Sequence, residues 1–135
     1  TVNNSAVLQN DDALVLAIPI NEVWEFELVV WFDSDTSTPD FKFDLTGPAG
    51  ATGKYGVHGA KNADVDSQSR TANALATALT IATISRPLPG LALIWGFISQ
   101  GGTAGNLQFR WAQGAATAEN TRVLTNSTLK ARKIS

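Results

Sequence analysis

One histidine, no cysteine and no methionine leave this chain of 135 residues few side chains with which to do chemistry. Without Cys there is no thiolate nucleophile, disulfide framework, thiolate zinc site or iron–sulfur cluster. A hydrolytic triad would need His58 as its base. The stretch around Ser99, Phe97-Ile98-Ser99-Gln100-Gly101, lacks the first glycine of a nucleophile elbow. His58 follows Tyr55-Gly56-Val57 in a strand-like run and reads as a surface or interface histidine. Glu25 and Glu27 lie two apart on one strand, hence side by side, whereas glycosidase carboxylates face each other across the sugar. Asp33, Asp35 and Asp40 crowd one loop but lack the bend glycine and terminal Glu of an EF-hand, and read as solvated turn acids. Gly47-Pro48-Ala49-Gly50-Ala51-Thr52-Gly53-Lys54 is no phosphate loop, because the spacing between its outer glycines is wrong and Tyr55 stands where Ser or Thr is needed. The expectation is a protein that is not an enzyme, with no metal and no cofactor.

The elements that carry these residues are strands. Trp24, Phe26, Leu28, Val30 and Phe32 alternate with Glu25 and Glu27, giving an apolar period of two with the even side inward. The same alternation sets Phe41, Phe43 and Leu45 against Asp40, Lys42 and Asp44, and Leu107, Phe109 and Trp111 against Gln108 and Arg110. Leu129 and Ala131 against Lys130 and Arg132 predict a last strand with a cationic outer side. Asn10-Asp11-Asp12 and Asn126-Ser127 read as tight turns, and residues 33–39, 47–53 and 101–105 as loops. The count is about nine or ten short strands. An all-β, antiparallel β-sandwich of the jelly-roll kind is expected, with an N-terminal arm at 1–7 and one domain over 8–135. Residues 71–85 fit a helical face as well as a strand face, and their Thr and Ile content favours strand. Residues 61–70 read as a mobile surface loop.

Four Trp residues divide by strand side. Trp24 and Trp111 fall on inward faces and are expected in the core. Trp31 lies on the outward side with Val23 and Val29. It fits a contact with another chain, with the core edge and a sugar-stacking platform as the other readings. Trp95 sits in a run, Leu91 to Ile98, that is apolar on both sides, so that strand is either buried on both faces or covered by a partner subunit.

A net charge of −2 conceals a gradient. Residues 1–44 carry nine acids and one Lys, whereas 105–135 carry five bases and one acid. Either acidic and basic strands pair within one fold, or the chain is dipolar and its poles meet neighbouring copies. No cluster of Lys and Arg suits nucleic acid. The Leu88–Ile98 run is too short and too rich in Pro and Gly for a membrane helix, so no membrane partner is expected. The opening Thr1-Val2-Asn3 reads as a mature chain that has lost its initiator Met, or a cleavage product, with no leader.

Several phrases together resemble tailed-bacteriophage virion structural proteins: Leu8-Gln9-Asn10-Asp11-Asp12-Ala13-Leu14, Trp24-Glu25-Phe26-Glu27, and Asp40-Phe41-Lys42-Phe43 with Gly47-Pro48-Ala49-Gly50-Ala51. So do Gly105-Asn106-Leu107-Gln108-Phe109-Arg110-Trp111-Ala112-Gln113 and the basic closing run 123–134. The resemblance covers residues 5–134 and is weakest over 60–98. It implies a β-sandwich capsid decoration, or cement, protein that binds the outer head surface of the virion as a trimer, after synthesis in the host cytoplasm. Its partners would be further copies of itself and the major capsid protein. A tail-tip or fibre module that binds a receptor or carbohydrate is the alternative. The residues expected at subunit or capsid contacts are Thr1, Val2, Asn3, Asn4 and Ser5 of the arm, together with Val29, Trp31 and Trp95.

Overall fold

The computed structural model describes residues 1–60 and 67–135, with side chains at 1–59 and 73–135. Among them no helix occurs, and eleven strands follow one another: β1 (Val2–Asn3), β2 (Gln9–Ile18), β3 (Val23–Ser34), β4 (Phe41–Thr46), β5 (Thr52–Ala60), β6 (Ser67–Ala74), β7 (Leu79–Ile81), β8 (Gly90–Ser99), β9 (Gly105–Gln113), β10 (Asn120–Val123) and β11 (Thr128–Lys133). They form two antiparallel sheets, a β-sandwich. One has seven strands in the order β1-β10-β3-β8-β5-β6, with β11 also on β3, and the other has four in the order β2-β9-β4-β7. The chain changes sheet at every connection except β5–β6 and β10–β11, so each layer is stitched from distant parts of the sequence.

The inward faces are those set by the alternation. Phe26, Leu28, Val30 and Phe32 of β3 are buried, as are Phe41, Phe43 and Leu45 of β4 and Leu107, Phe109 and Trp111 of β9. Aromatic rings bind the layers together. Phe32 stacks on Phe41 at 4.3 Å and 11°, and Phe43 lies 6.5 Å from Tyr55; within the four-stranded sheet Phe43 also lies 5.9 Å from Phe109. Trp24 is half-buried against this core, its indole nitrogen donating to Glu22 at 2.8 Å. Gly96 faces inward because nothing larger fits: a Cβ there would stand 2.8 Å from the Phe26 ring and 2.2 Å from the Lys54 carbonyl oxygen.

Several expected boundaries move. Asn10-Asp11-Asp12 does not end a strand; it forms a bulge within β2, where the Asp11 carboxylate accepts from the Ala13 and Leu14 amides at 3.0 and 2.9 Å. Residues 71–85 hold no helix; strand is found at 71–74 and 79–81 and the rest is turn and loop. Ala76, at φ 61°, turns the chain out of β6 and across to β7 in the other sheet. The loop expected at 61–70 is replaced by β6 from Ser67 onward, and its remainder lies outside the described residues.

The arm expected at 1–7 is docked on its own chain. β1 pairs with β10, Val2 against Thr121, and the Val2 side chain joins the core at 4% exposure. Behind it the amide of Gln113 is fully buried and fully used. Its Oε1 accepts from the backbone N–H groups of Ser5 and Thr117 at 3.1 Å each, and its Nε2 donates to the Glu119 carbonyl at 2.7 Å. One side chain thereby ties the first residues, the 114–119 loop and β10 together.

Candidate interaction surface

The acidic N-terminal third and the basic C-terminal third meet across strand pairs. Arg110 of β9 holds Asp44 of β4 at two points, 2.8 and 2.5 Å. Arg122 of β10 bridges Asp33 at 3.1 Å and Asp35 at 2.6 Å, and Arg86 adds a longer contact to Asp33 at 3.7 Å. On β11, Arg132 reaches Glu25 and Lys133 reaches Glu22, each at 2.6 Å. Four of the five bases in residues 105–135 are thus committed within the chain, Lys130 being the fifth. Much of the gradient is therefore paired within the chain, as the strand-pairing reading expects: five of the nine acids in residues 1–44 are in ion pairs.

The same pairs decide the fate of the acidic loop. The hydrogen bond from Arg122, followed by the Asn120 backbone N–H, holds the Asp35 carboxyl below its ordinary range. Lys133 and then Trp24 do the same for Glu22. Asp40 stands apart, its carboxyl raised by burial. Asp33 and Asp35 therefore face guanidinium groups, and no metal-binding group of three acids or histidines occurs among the described residues. Tyr55 is likewise raised, by burial first and the Asp44 charge second, and its hydroxyl donates to the Thr77 carbonyl as a structural tie.

Three exposed large apolar side chains of β8 stand together on the outer face of the seven-stranded sheet. The registers of β11, β3, β8 and β5 arrange its outward side chains in rows. Trp31 lies opposite Leu91; Thr128, Val29, Leu93 and His58 form the next row; then come Lys130, Glu27, Trp95 and Gly56, and finally Arg132, Glu25, Phe97 and Lys54. Leu93, Trp95 and Phe97 are 37%, 44% and 42% exposed. Their inward neighbours Ala92, Ile94 and Ile98 are fully buried, so β8 has one face in the core and one apolar face open. Val29, Trp31 and Leu91 are half-buried beside it. The backbone of Trp31 is fastened by the β10–β11 turn, its N–H donating to the Ser127 hydroxyl at 2.9 Å and its carbonyl accepting from the Leu124 N–H at 2.8 Å.

The face has two halves of different character. Around Val29, Trp31, Leu91 and Leu93 it is apolar. Around Trp95 and Phe97 it opens into a groove of about 720 Å³, bordered by Glu25, Glu27, Lys130, Arg132 and Ile134.

Of the expected contact residues, Val29, Trp31 and Trp95 share this face, whereas Thr1, Asn3 and Asn4 are exposed elsewhere, on the β1–β10 edge. Val2 is withdrawn from the set by its burial, and the backbone N–H and carbonyl of Ser5 bond to Gln113. Leu93 and Phe97 were not singled out in sequence, because the uninterrupted apolar run hides which side faces out. Gly96 and Ala92, the small residues at even positions, were the available signal. His58 is exposed at the end of the Leu93 row.

No family model, curated protein or solved structure matches this chain.

Proposed function

We propose that the protein is a non-enzymatic virion structural protein, a decoration or cement protein that binds the outer head surface of a tailed bacteriophage as a trimer. The observation that carries the reading is the apolar strip of half-buried Val29, Trp31 and Leu91 with exposed Leu93, on a sandwich in which most bases of the C-terminal third are paired internally. Contiguous apolar surface of this kind on a small domain marks a contact with another chain. The sequence resemblance to virion structural proteins supports the choice of partner. In this reading copies meet through the strip, and the assembled trimer bridges the major capsid proteins beneath it. Many symmetric copies multiply contacts that are individually weak.

The test is a particle assembled without the protein. Such particles should form but open at lower temperature or under milder osmotic shock, and added protein should restore tolerance. Particles that stay closed under both stresses and fail to adsorb to host cells would replace the cement role with receptor binding.

A further inference from the structure

The second half of the exposed face carries groups that a protein–protein seam does not call for. One cross-strand row runs Lys130, Glu27, Trp95, Gly56. Gly56, which is buried and has no side chain, lies directly opposite Trp95 in this register. The Trp95 side chain is itself 44% exposed on this face. Glu27 and Lys130 stand directly opposite each other, yet among the described residues no ion pair or hydrogen bond uses either side chain, whereas the next pair in register, Glu25 and Arg132, closes at 2.6 Å. A carboxylate acceptor and an ammonium donor are thus left open beside an exposed aromatic ring.

We propose that this row is a saccharide-binding groove, with Trp95 as the stacking platform, Glu27 and Lys130 as the hydrogen-bonding pair, and a neutral pyranose oligosaccharide as the ligand. A pyranose ring is amphipathic. Its C–H face suits the negative face of the indole, and its rim of hydroxyl groups both donates and accepts. The groove, about 720 Å³ and shallow, has room for a short oligosaccharide lying along the sheet. Adjacent strands are about 4.8 Å apart, so acceptor, donor and ring are spread along a line suited to a short chain of sugar units. The two acids and two bases bordering the groove cancel, which favours a neutral sugar over an acidic one. The site is open on one side, so affinity is weak, with Kd on the order of 1 mM, and useful only when many copies act together.

The experiment titrates the full chain with maltotetraose, cellotetraose, chitotetraose and mannotetraose to about 10 mM. Tryptophan fluorescence and saturation-transfer NMR are followed in the wild type, Trp95→Ala, Glu27→Gln and Trp31→Phe. The expected result is a saturable response to at least one sugar, reduced at least about tenfold in Trp95→Ala, reduced severalfold in Glu27→Gln and retained in Trp31→Phe. Circular dichroism matching the wild type establishes that Trp95→Ala is folded. No saturable response to any of the four sugars overturns the proposal, as does binding that survives Trp95→Ala. Loss of self-association in Trp95→Ala without any sugar response would assign the row to the contact between copies instead.

Discussion

On the outer face of the four-stranded sheet, Asp44 is 1% exposed and held at two points by Arg110, Lys42 donates to the Ala6 carbonyl, and Gln108 donates to the Asp11 carbonyl at 2.8 Å. The first residues and the β2 bulge thus tie down the charged groups and Gln108 of that face, while Asn10, Thr80 and Asn106 stay exposed at its margins. On the outer face of the seven-stranded sheet, Leu93, Trp95 and Phe97 stand open, and Glu27 and Lys130 have no ion-pair or hydrogen-bond partner among the described residues. Both sheets come from the same alternation of side chains and pack on the same core. They differ in whether their outward side chains are satisfied within the chain, and that difference locates the surface reserved for something else. Stability should therefore reside in the first face and association in the second.

Substitutions can break this division, beginning where the effect is greatest. Arg110→Ala leaves the Asp44 carboxylate buried and unpaired, and should destabilise the fold by about 3–5 kcal/mol in urea unfolding. A loss below about 1 kcal/mol would mean that this face is not closed by the pair. Gln113→Leu keeps the volume but strands the Ser5 and Thr117 N–H groups and the Glu119 carbonyl. It should cost about 2–3 kcal/mol and speed amide exchange at Val2 to Ser5 ahead of the rest of the chain.

Acid should weaken the fold through carboxyls whose folded pKa is depressed. Their stabilisation is complete above the unfolded pKa and is lost as pH falls through the folded one. With ordinary values of 3.8 for Asp and 4.5 for Glu, the window opens near pH 4.5 and extends downward for Asp35 and Glu22. Asp40, raised by burial, acts with the opposite sign, since its protonation relieves a penalty. Asp35→Asn together with Glu22→Gln should flatten the fall in unfolding midpoint between pH 5 and pH 3, and an unchanged slope would show that these pairs do not govern it. The smallest effect on stability belongs to the open face. Leu93→Ser and Trp95→Ser should each shift unfolding by no more than about 0.5–1 kcal/mol, because neither side chain packs in the core. A larger loss from Leu93→Ser would make that face part of the fold's own support.

The inward half of each strand was readable because Phe41, Phe43 and Leu45, or Leu107, Phe109 and Trp111, are separated by charged or polar residues that fix the phase. The β8 strand gave no such phase, having Leu, Trp and Phe at odd positions and Ala, Ile and Gly at even ones. Only its pairing with β3 selects the exposed side. The Asp11 bulge and the docking of Val2 depend on contacts with residues about a hundred positions away, Trp111 and Thr121, which no local pattern contains. The unpaired state of Lys130 was hidden for the same reason: in sequence it is one of three similar bases, and only register separates it from Arg132 and Lys133.

The central claim is that the strip Val29, Trp31, Leu91 and Leu93 joins copies of the chain. Sedimentation over a range of concentration, for the wild type beside Leu93→Glu, tests it most directly. The account predicts that the wild type reaches three times the 14.3 kDa chain mass and that Leu93→Glu remains a folded monomer at every concentration. A wild type that stays monomeric throughout, or a Leu93→Glu variant that still forms the trimer, would contradict it.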